Sequence, residues 1–96
     1  SLKPFGALTV DEGAARALAA GGSLLPAGVV RVEGAFSRGD AVVVKTHDGR
    51  ELGRGLCAYS AAEIRLIMGR KSGEIDACLG YRGRDEVIHR DDLVLG

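Results

Sequence analysis

Tryptophan is absent from this 96-residue chain, and aromatic side chains of any kind make up only 4% of it. They are Phe5, Phe36, Tyr59 and Tyr81. Any core must therefore be filled mainly by aliphatic residues, since hydrophobic residues reach 46% of the sequence. The scarcity of aromatic rings also removes the stacking platforms on which many binders of single-stranded nucleic acid depend.

A charge excess of either sign is also absent, because 13 Lys and Arg residues balance 13 Asp and Glu residues. A neutral chain lacks the basic excess that drives tight non-specific binding to nucleic acid or to an anionic membrane surface. No stretch is apolar for long enough to span a membrane, and no signal peptide opens the chain. We therefore expect a cytoplasmic protein without a membrane partner, and the initial Ser1 suggests a domain taken from a longer protein.

Cysteine is too sparse for a disulfide framework or a metal cluster. Cys57 and Cys78 form no Cys-x-x-Cys motif, and a zinc site would have to gather them with the distant His47 and His89. We predict two buried thiols in a reducing compartment, no metal site and no cofactor in this chain.

Motifs for catalysis and nucleotide binding are missing or misplaced. Residues 69–72 (Gly-Arg-Lys-Ser) lack the glycine directly before lysine that a P-loop requires. Residues 53–58 fit a loose Gly-x-Gly-x-x-Ala pattern, but they lie inside a predicted strand and not between a strand and a helix. No Gly-x-Ser-x-Gly elbow is present, and His89 is expected to bond a neighbouring backbone group or carboxylate. We predict no catalytic residue.

Turn and cap signals divide the chain into five strand-like and three helical segments, in the order β-α-β-β-β-α-α-β. Asp11, Ser60 and Ser72 are predicted N-caps, and Ser60 is expected to form a capping box with Glu63. Asp48-Gly49 predicts a hairpin. The strands are expected over 6–10, 29–33, 41–46, 51–59 and 87–95 (the last as one strand or a pair), and the helices over 12–20, 61–68 and 73–79. This order predicts a single domain over 1–96 of the α+β class, mainly β: a mixed pseudo-barrel with short helices covering its openings.

Basic residues offer one candidate binding surface. Arg16 on the first helix and Arg31 on the following strand are expected to flank the turn at 23–29. Glycine in such a turn lets a phosphate approach the backbone, and arginine donates bidentate hydrogen bonds. The alternative, which we favour from the residues alone, is that the arginines pair with acidic residues on an ordinary solvated surface.

Several segments, in order and over nearly the whole chain, resemble one known family. They are residues 9–14 (Thr-Val-Asp-Glu-Gly-Ala), 23–29 (Ser-Leu-Leu-Pro-Ala-Gly-Val), 34–40, 59–60, 75–81 and 89–92. The chain resembles PUA domains, and among them the C-terminal PUA domain of bacterial glutamate 5-kinases.

The resemblance implies a parent enzyme that transfers the γ-phosphoryl group of ATP to the side-chain carboxylate of glutamate, the first step of proline biosynthesis. ATP and Mg²⁺ are expected in an N-terminal amino-acid kinase domain that is absent here, so no catalytic residue is carried over. The implied function is non-catalytic and regulatory, with the kinase domain of the same chain and neighbouring subunits as partners.

The same resemblance also implies an alternative function, RNA binding. In RNA-modifying enzymes, similar domains bind RNA through the first helix, the turn after it and the last strand. The matching positions are Arg16, Gly22, Ser23, Gly28, Val29, Arg31, His89 and Arg90.

Overall fold

The computed structural model describes residues 3–96 as one five-stranded mixed sheet with three short α-helices. The strands are Gly6–Val10 (β1), Val29–Gly34 (β2), Ala41–Thr46 (β3), Glu51–Leu56 (β4) and Leu93–Leu95 (β5), and the α-helices are Glu12–Ala19 (α1), Ala61–Ile67 (α2) and Ile75–Leu79 (α3). Three 3₁₀ turns lie at Pro26–Gly28, Ser72–Glu74 and Arg90–Asp92. The predicted α+β class and the order of the elements are confirmed.

The sheet has the strand order β2-β1-β3-β4-β5. β1 pairs parallel with β3, while the other three pairings are antiparallel. The parallel pair is possible because α1 and β2 lie between its two strands in the chain and provide the crossover. β3 and β4 form the hairpin that Asp48-Gly49 predicts, with Gly49 at a φ of 86°.

The N-caps predicted at Asp11 and Ser60 are present. The Asp11 carboxylate accepts a hydrogen bond from the Ala14 N–H at 2.7 Å. At α2 the Ser60 hydroxyl accepts from the Glu63 N–H at 3.2 Å, and the Glu63 carboxylate accepts from the Ser60 N–H at 2.9 Å. Two otherwise unsatisfied donors of α2 are thus paired reciprocally.

The C-terminal third of the chain is less regular than the sequence predicts. Of the region predicted over 87–95 as one strand or a pair, the second segment is β5, while the first makes only an isolated bridge between Ile88 and Leu24. A 3₁₀ turn replaces the start of the helix predicted at 73, and the Ser72 hydroxyl donates to the Asp85 carbonyl instead of capping. The side-chain to backbone bonds of small polar residues override the strand and helix signals here.

The core is aliphatic, as the composition predicts. It contains only two aromatic side chains, Phe36 and Tyr59, among the described residues. The fully buried aliphatic residues come from β1, β2 and β3, from both longer helices and from the two segments of the isolated bridge: Leu8, Val10, Leu18, Leu24, Val29, Val42, Val44, Ile64, Ile67, Val87 and Ile88. The helices and the sheet therefore share one core.

The cysteines are unpaired thiols. Cys57 is buried, and its burial raises the pKa of its thiol to about 12, whereas Cys78 is only half-buried. Within residues 3–96 no three His, Cys, Asp or Glu side chains gather as metal ligands, and no helix there is long and apolar enough to cross a membrane.

Candidate functional site

The turn after α1 lies beside the C-terminal segment. Leu24 exchanges backbone hydrogen bonds with residues 87 and 88, its N–H donating to the Ile88 carbonyl at 2.9 Å. The Ser23 hydroxyl accepts a hydrogen bond from the Arg90 N–H at 2.8 Å. The fold therefore joins two of the predicted site residues that are far apart in the sequence.

His89, between these two segments, has a local role. Its Nδ1 accepts a hydrogen bond from the Asp91 N–H at 3.1 Å, which caps the 3₁₀ turn at 90–92. This is the backbone bond that the sequence analysis expects for His89. The same side chain therefore holds the turn at 90–92 in place.

Gly28 and Val29 are buried and serve packing. A Cβ atom on Gly28 would lie 2.5 Å from the Cβ of Ala14, so the absence of a side chain lets α1 sit against the turn. Gly22 packs on the same helix, since its Cβ would lie 3.0 Å from the Ala17 carbonyl oxygen. A cleft of about 250 Å³ remains between α1 and the turn, and its single charged lining residue is Asp11.

The two arginines expected to flank the turn do not meet there. Arg16 is exposed on α1 and does not line the cleft. Arg31 lines a separate depression on the sheet, which shares no residue with the cleft. There its Nε lies 3.6 Å from Glu33, whose carboxylate also lies 3.2 Å from the Lys45 ammonium. This pairing agrees with the alternative given above, in which the arginines pair with acidic residues on an ordinary solvated surface.

A second cluster, which the sequence does not signal, surrounds the Glu63 carboxylate. The Arg38 guanidinium donates two hydrogen bonds to it, at 2.9 Å and 2.5 Å. The Tyr81 hydroxyl donates to the same carboxylate, and the Arg38 guanidinium lies 5.2 Å from the centre of the Tyr81 ring. Glu63 therefore joins α2 to the loop before β3 and to the segment after α3.

The electrostatics of this cluster follow from its hydrogen bonds. The bidentate bond from Arg38 lowers the pKa of Glu63 from 4.5 to about 2. Desolvation, followed by the bond to Glu63, raises the pKa of Tyr81 to about 12, so its phenol keeps its proton. The hydrogen bonding between Arg38 and Glu63 raises the pKa of Arg38.

The segment after Tyr81 is fastened to the core by Tyr59. This buried side chain donates its hydroxyl proton to the Arg84 carbonyl. Gly83 lies directly on the phenol, since a Cβ there would be 2.3 Å from the Tyr59 oxygen. Beside this segment a cavity of about 520 Å³ opens, and its charged lining residues are Arg38, Arg82, Arg84 and Asp92.

Replacement of Glu63 by glutamine tests the pH dependence of this cluster. Folding lowers the pKa of Glu63, so the ionised carboxylate stabilises the folded state. This stabilisation is complete at pH values above the ordinary pKa of 4.5 and is lost as the pH falls toward about 2. We expect Glu63→Gln to reduce the free energy of unfolding by about 1–2 kcal/mol at neutral pH. The loss is smaller than the pKa shift alone implies, because solvent screens the largely exposed Arg38. Urea unfolding at several pH values measures the difference, which should shrink as the medium becomes acidic.

The matched control is Glu51→Gln, which alters an exposed ion pair with Arg54 at 3.5 Å. Its effect should stay within about 0.5 kcal/mol at every pH. A Glu63→Gln difference that is constant with pH would contradict the assignment.

The sheet order, the caps and the packing of α1 on the following turn define a known class of domain. Residues 6–79 match the model of the PUA domain family, and the chain belongs to that family. A crystal structure of a PUA domain from Aeropyrum pernix K1 superposes with a TM-score of 0.64 at 33% identity, covering 90% of this chain and 43% of that one. The archaeal box H/ACA sRNP Nop10–Cbf5 complex gives a TM-score of 0.62 at 17% identity, covering 96% of this chain and 23% of the matched chain.

The similar sequences point to one kind of parent protein. The glutamate 5-kinase of Paramagnetospirillum magneticum is 68% identical over 95 residues, which cover 99% of this chain and 26% of that protein. The glutamate 5-kinase of Rhodospirillum rubrum is 63% identical over 95 residues, which cover 99% and 25%. The chain thus spans about a quarter of the length of these relatives.

Proposed function

We propose that this chain is the PUA domain of a glutamate 5-kinase and regulates the kinase without taking part in the chemistry. The observation that supports this proposal most directly is the 68% identity with the Paramagnetospirillum magneticum enzyme, over a segment that makes up only 26% of that protein. Phosphorylation of the glutamate side-chain carboxylate, with its ATP and Mg²⁺, then belongs to the remaining three quarters of the longer protein. A cytoplasmic location stays a prediction from the sequence.

An exposed apolar patch supports a role in contacts between domains. The Leu56 patch consists of Phe5, Leu56 and Val94, which are 63%, 47% and 74% exposed. Leu56 lines two neighbouring depressions, one with Phe5 and one with Val94, so the patch is continuous. Contiguous apolar surface of this kind marks interaction sites. We assign it to the kinase part of the same longer protein, which the chain of 96 residues leaves out.

The test is made in the full-length kinase. Deletion of the segment that corresponds to this 96-residue chain should change one of three properties of the kinase: feedback inhibition by the pathway product, the dependence on Mg²⁺ or the oligomeric state. Val94→Glu should reproduce that change, because a charge on the Leu56 patch opposes burial against a partner. Its folding should be unaffected, since Val94 is exposed and pairs with Arg54 across the strands.

The matched control is Leu66→Glu, which places the same charge on an apolar side chain that is 60% exposed on α2 and lies outside the patch. A deletion variant that matches the full-length kinase in inhibition, metal dependence and assembly would reject the proposal. If only Val94→Glu behaved like the unaltered enzyme, regulation would stand and the Leu56 patch would be the wrong surface.

RNA binding is the second candidate function. It is favoured by the hydrogen bond that joins Ser23 to the backbone of Arg90, because the turn after α1 and the C-terminal segment then form one surface. The acidic Asp11 lines the adjacent cleft, and Arg31 lies in a different depression. For these two reasons we favour the regulatory function over RNA binding.

A further inference from the structure

The cavity beside residues 81–84 has an excess of positive charge. Three arginines and a single carboxylate, Asp92, line it. Arg38 is offset by Glu63, and Arg84 forms an ion pair with Asp92 at 3.9 Å, a separation too long for a hydrogen bond. Within residues 3–96 no carboxylate pairs with Arg82. Arg82 and Arg84 thus retain guanidinium donors for a ligand.

The walls of the cavity are fixed before any ligand arrives. The Tyr59 hydroxyl holds the Arg84 carbonyl, and Gly83 lies on the same phenol, so the backbone between the two arginines is anchored to a buried side chain. Glu63 holds two further lining residues, Arg38 and Tyr81. Arginines carried by an anchored backbone lose less freedom on binding than those on a mobile loop.

We propose that this cavity binds the phosphate group of a small anionic metabolite, held by the guanidinium groups of Arg82 and Arg84. Guanidinium forks match the oxygens of a phosphate and bind them through charge-assisted hydrogen bonds. The volume of about 520 Å³ leaves room for the rest of a small molecule beside the phosphate. The proposal concerns a binding activity of this chain alone and does not depend on regulation of a kinase.

Pyrophosphate is the probe, titrated into the isotopically labelled 96-residue chain at low ionic strength and followed by amide NMR shifts. We expect saturable shifts confined to residues around the cavity, among them Gly39, Tyr59 and Gly83. Arg82→Gln and Arg84→Gln should each weaken binding about tenfold, the equivalent of one charge-assisted hydrogen bond. Arg16→Gln, an exposed arginine on α1, should leave the affinity within about twofold.

Both cavity variants replace exposed side chains, and an otherwise unchanged NMR spectrum shows that they fold. Absence of saturable shifts, or equal weakening by Arg16→Gln, would overturn the proposal. Tighter binding of citrate than of pyrophosphate at the same residues would overturn the assignment to phosphate. If pyrophosphate does not bind but a single-stranded RNA oligonucleotide does, the phosphate proposal is wrong and the chain has an RNA site. The shifted amides would then show whether that site lies at residues 81–84 or at Ser23 and Arg90.

Discussion

Replacement of Gly53 by alanine is expected to lower the free energy of unfolding by about 3 kcal/mol, the upper end of the range for overpacking. Gly53 lies in β4 opposite Leu95 of β5. A Cβ atom there would be 2.3 Å from the Val94 carbonyl oxygen and 2.9 Å from the Leu95 Cα. These are backbone atoms and no side-chain rotation relieves the clash, so β5 must move away from β4.

Chemical denaturation measures the loss, and NMR chemical shifts show whether β5 has separated from the sheet. Gly73→Ala is the matched control, because nothing lies within 4 Å of the position that its Cβ would occupy. That variant should be neutral or slightly more stable, since alanine restricts the unfolded chain. Equal stability of the Gly53→Ala and Gly73→Ala variants would show that β5 adapts without cost.

Truncation of Ile64 to alanine should reduce the free energy of unfolding by about 3–4 kcal/mol. Ile64 is completely buried on α2, the helix that packs against β2 and α3. Its removal leaves a cavity where these elements meet, and the anchored neighbours Ala61 and Ile67 restrict any collapse into it. The cost therefore includes the lost burial of the side chain and the empty volume.

Leu66→Ala on the same helix provides the comparison, since Leu66 is 60% exposed. Its effect should remain within about 0.5 kcal/mol. Thermal and urea unfolding of both variants measure the difference between them. Similar losses from the two substitutions would mean that the exposed face of α2 is covered in solution, and the packing described for this helix would be incomplete.

Most of the fold follows from local signals in the sequence. Asp11 and the Ser60–Glu63 pair set the starts of α1 and α2, and Asp48-Gly49 sets the hairpin, because caps and tight turns depend on residues a few positions apart. Gly53 lies in a strand-like run, where glycine is typical of a bend or a close backbone approach, and the structure shows the close approach. Of the two alternatives for 87–95, the pair of segments agrees better with the structure, since Arg90 and its neighbours form a turn between them that the Ser23 and His89 side chains hold.

The candidate sites were harder to predict, because they depend on contacts between distant segments. The capping box accounts for Glu63 by itself, so nothing in the sequence indicated that Arg38 and Tyr81 share its carboxylate. Arg82 and Arg84 are close together in the sequence, but nothing there indicates that Tyr59 anchors the backbone between them. Arg31 was placed near the turn by its position in the chain, whereas the sheet carries it to a separate depression.

The parallel pairing of β1 with β3 also orders the assembly of the domain. The hairpin of β3 and β4 joins neighbours in the sequence and closes a short loop, so its contacts cost little chain entropy. β1 reaches its register with β3, from Gly6 opposite Val42 to Val10 opposite Thr46, only after α1 and β2 have been placed between them. The parallel pair therefore consists of contacts between segments far apart in the chain, and the centre of the sheet can close only when residues through Thr46 are available to β1.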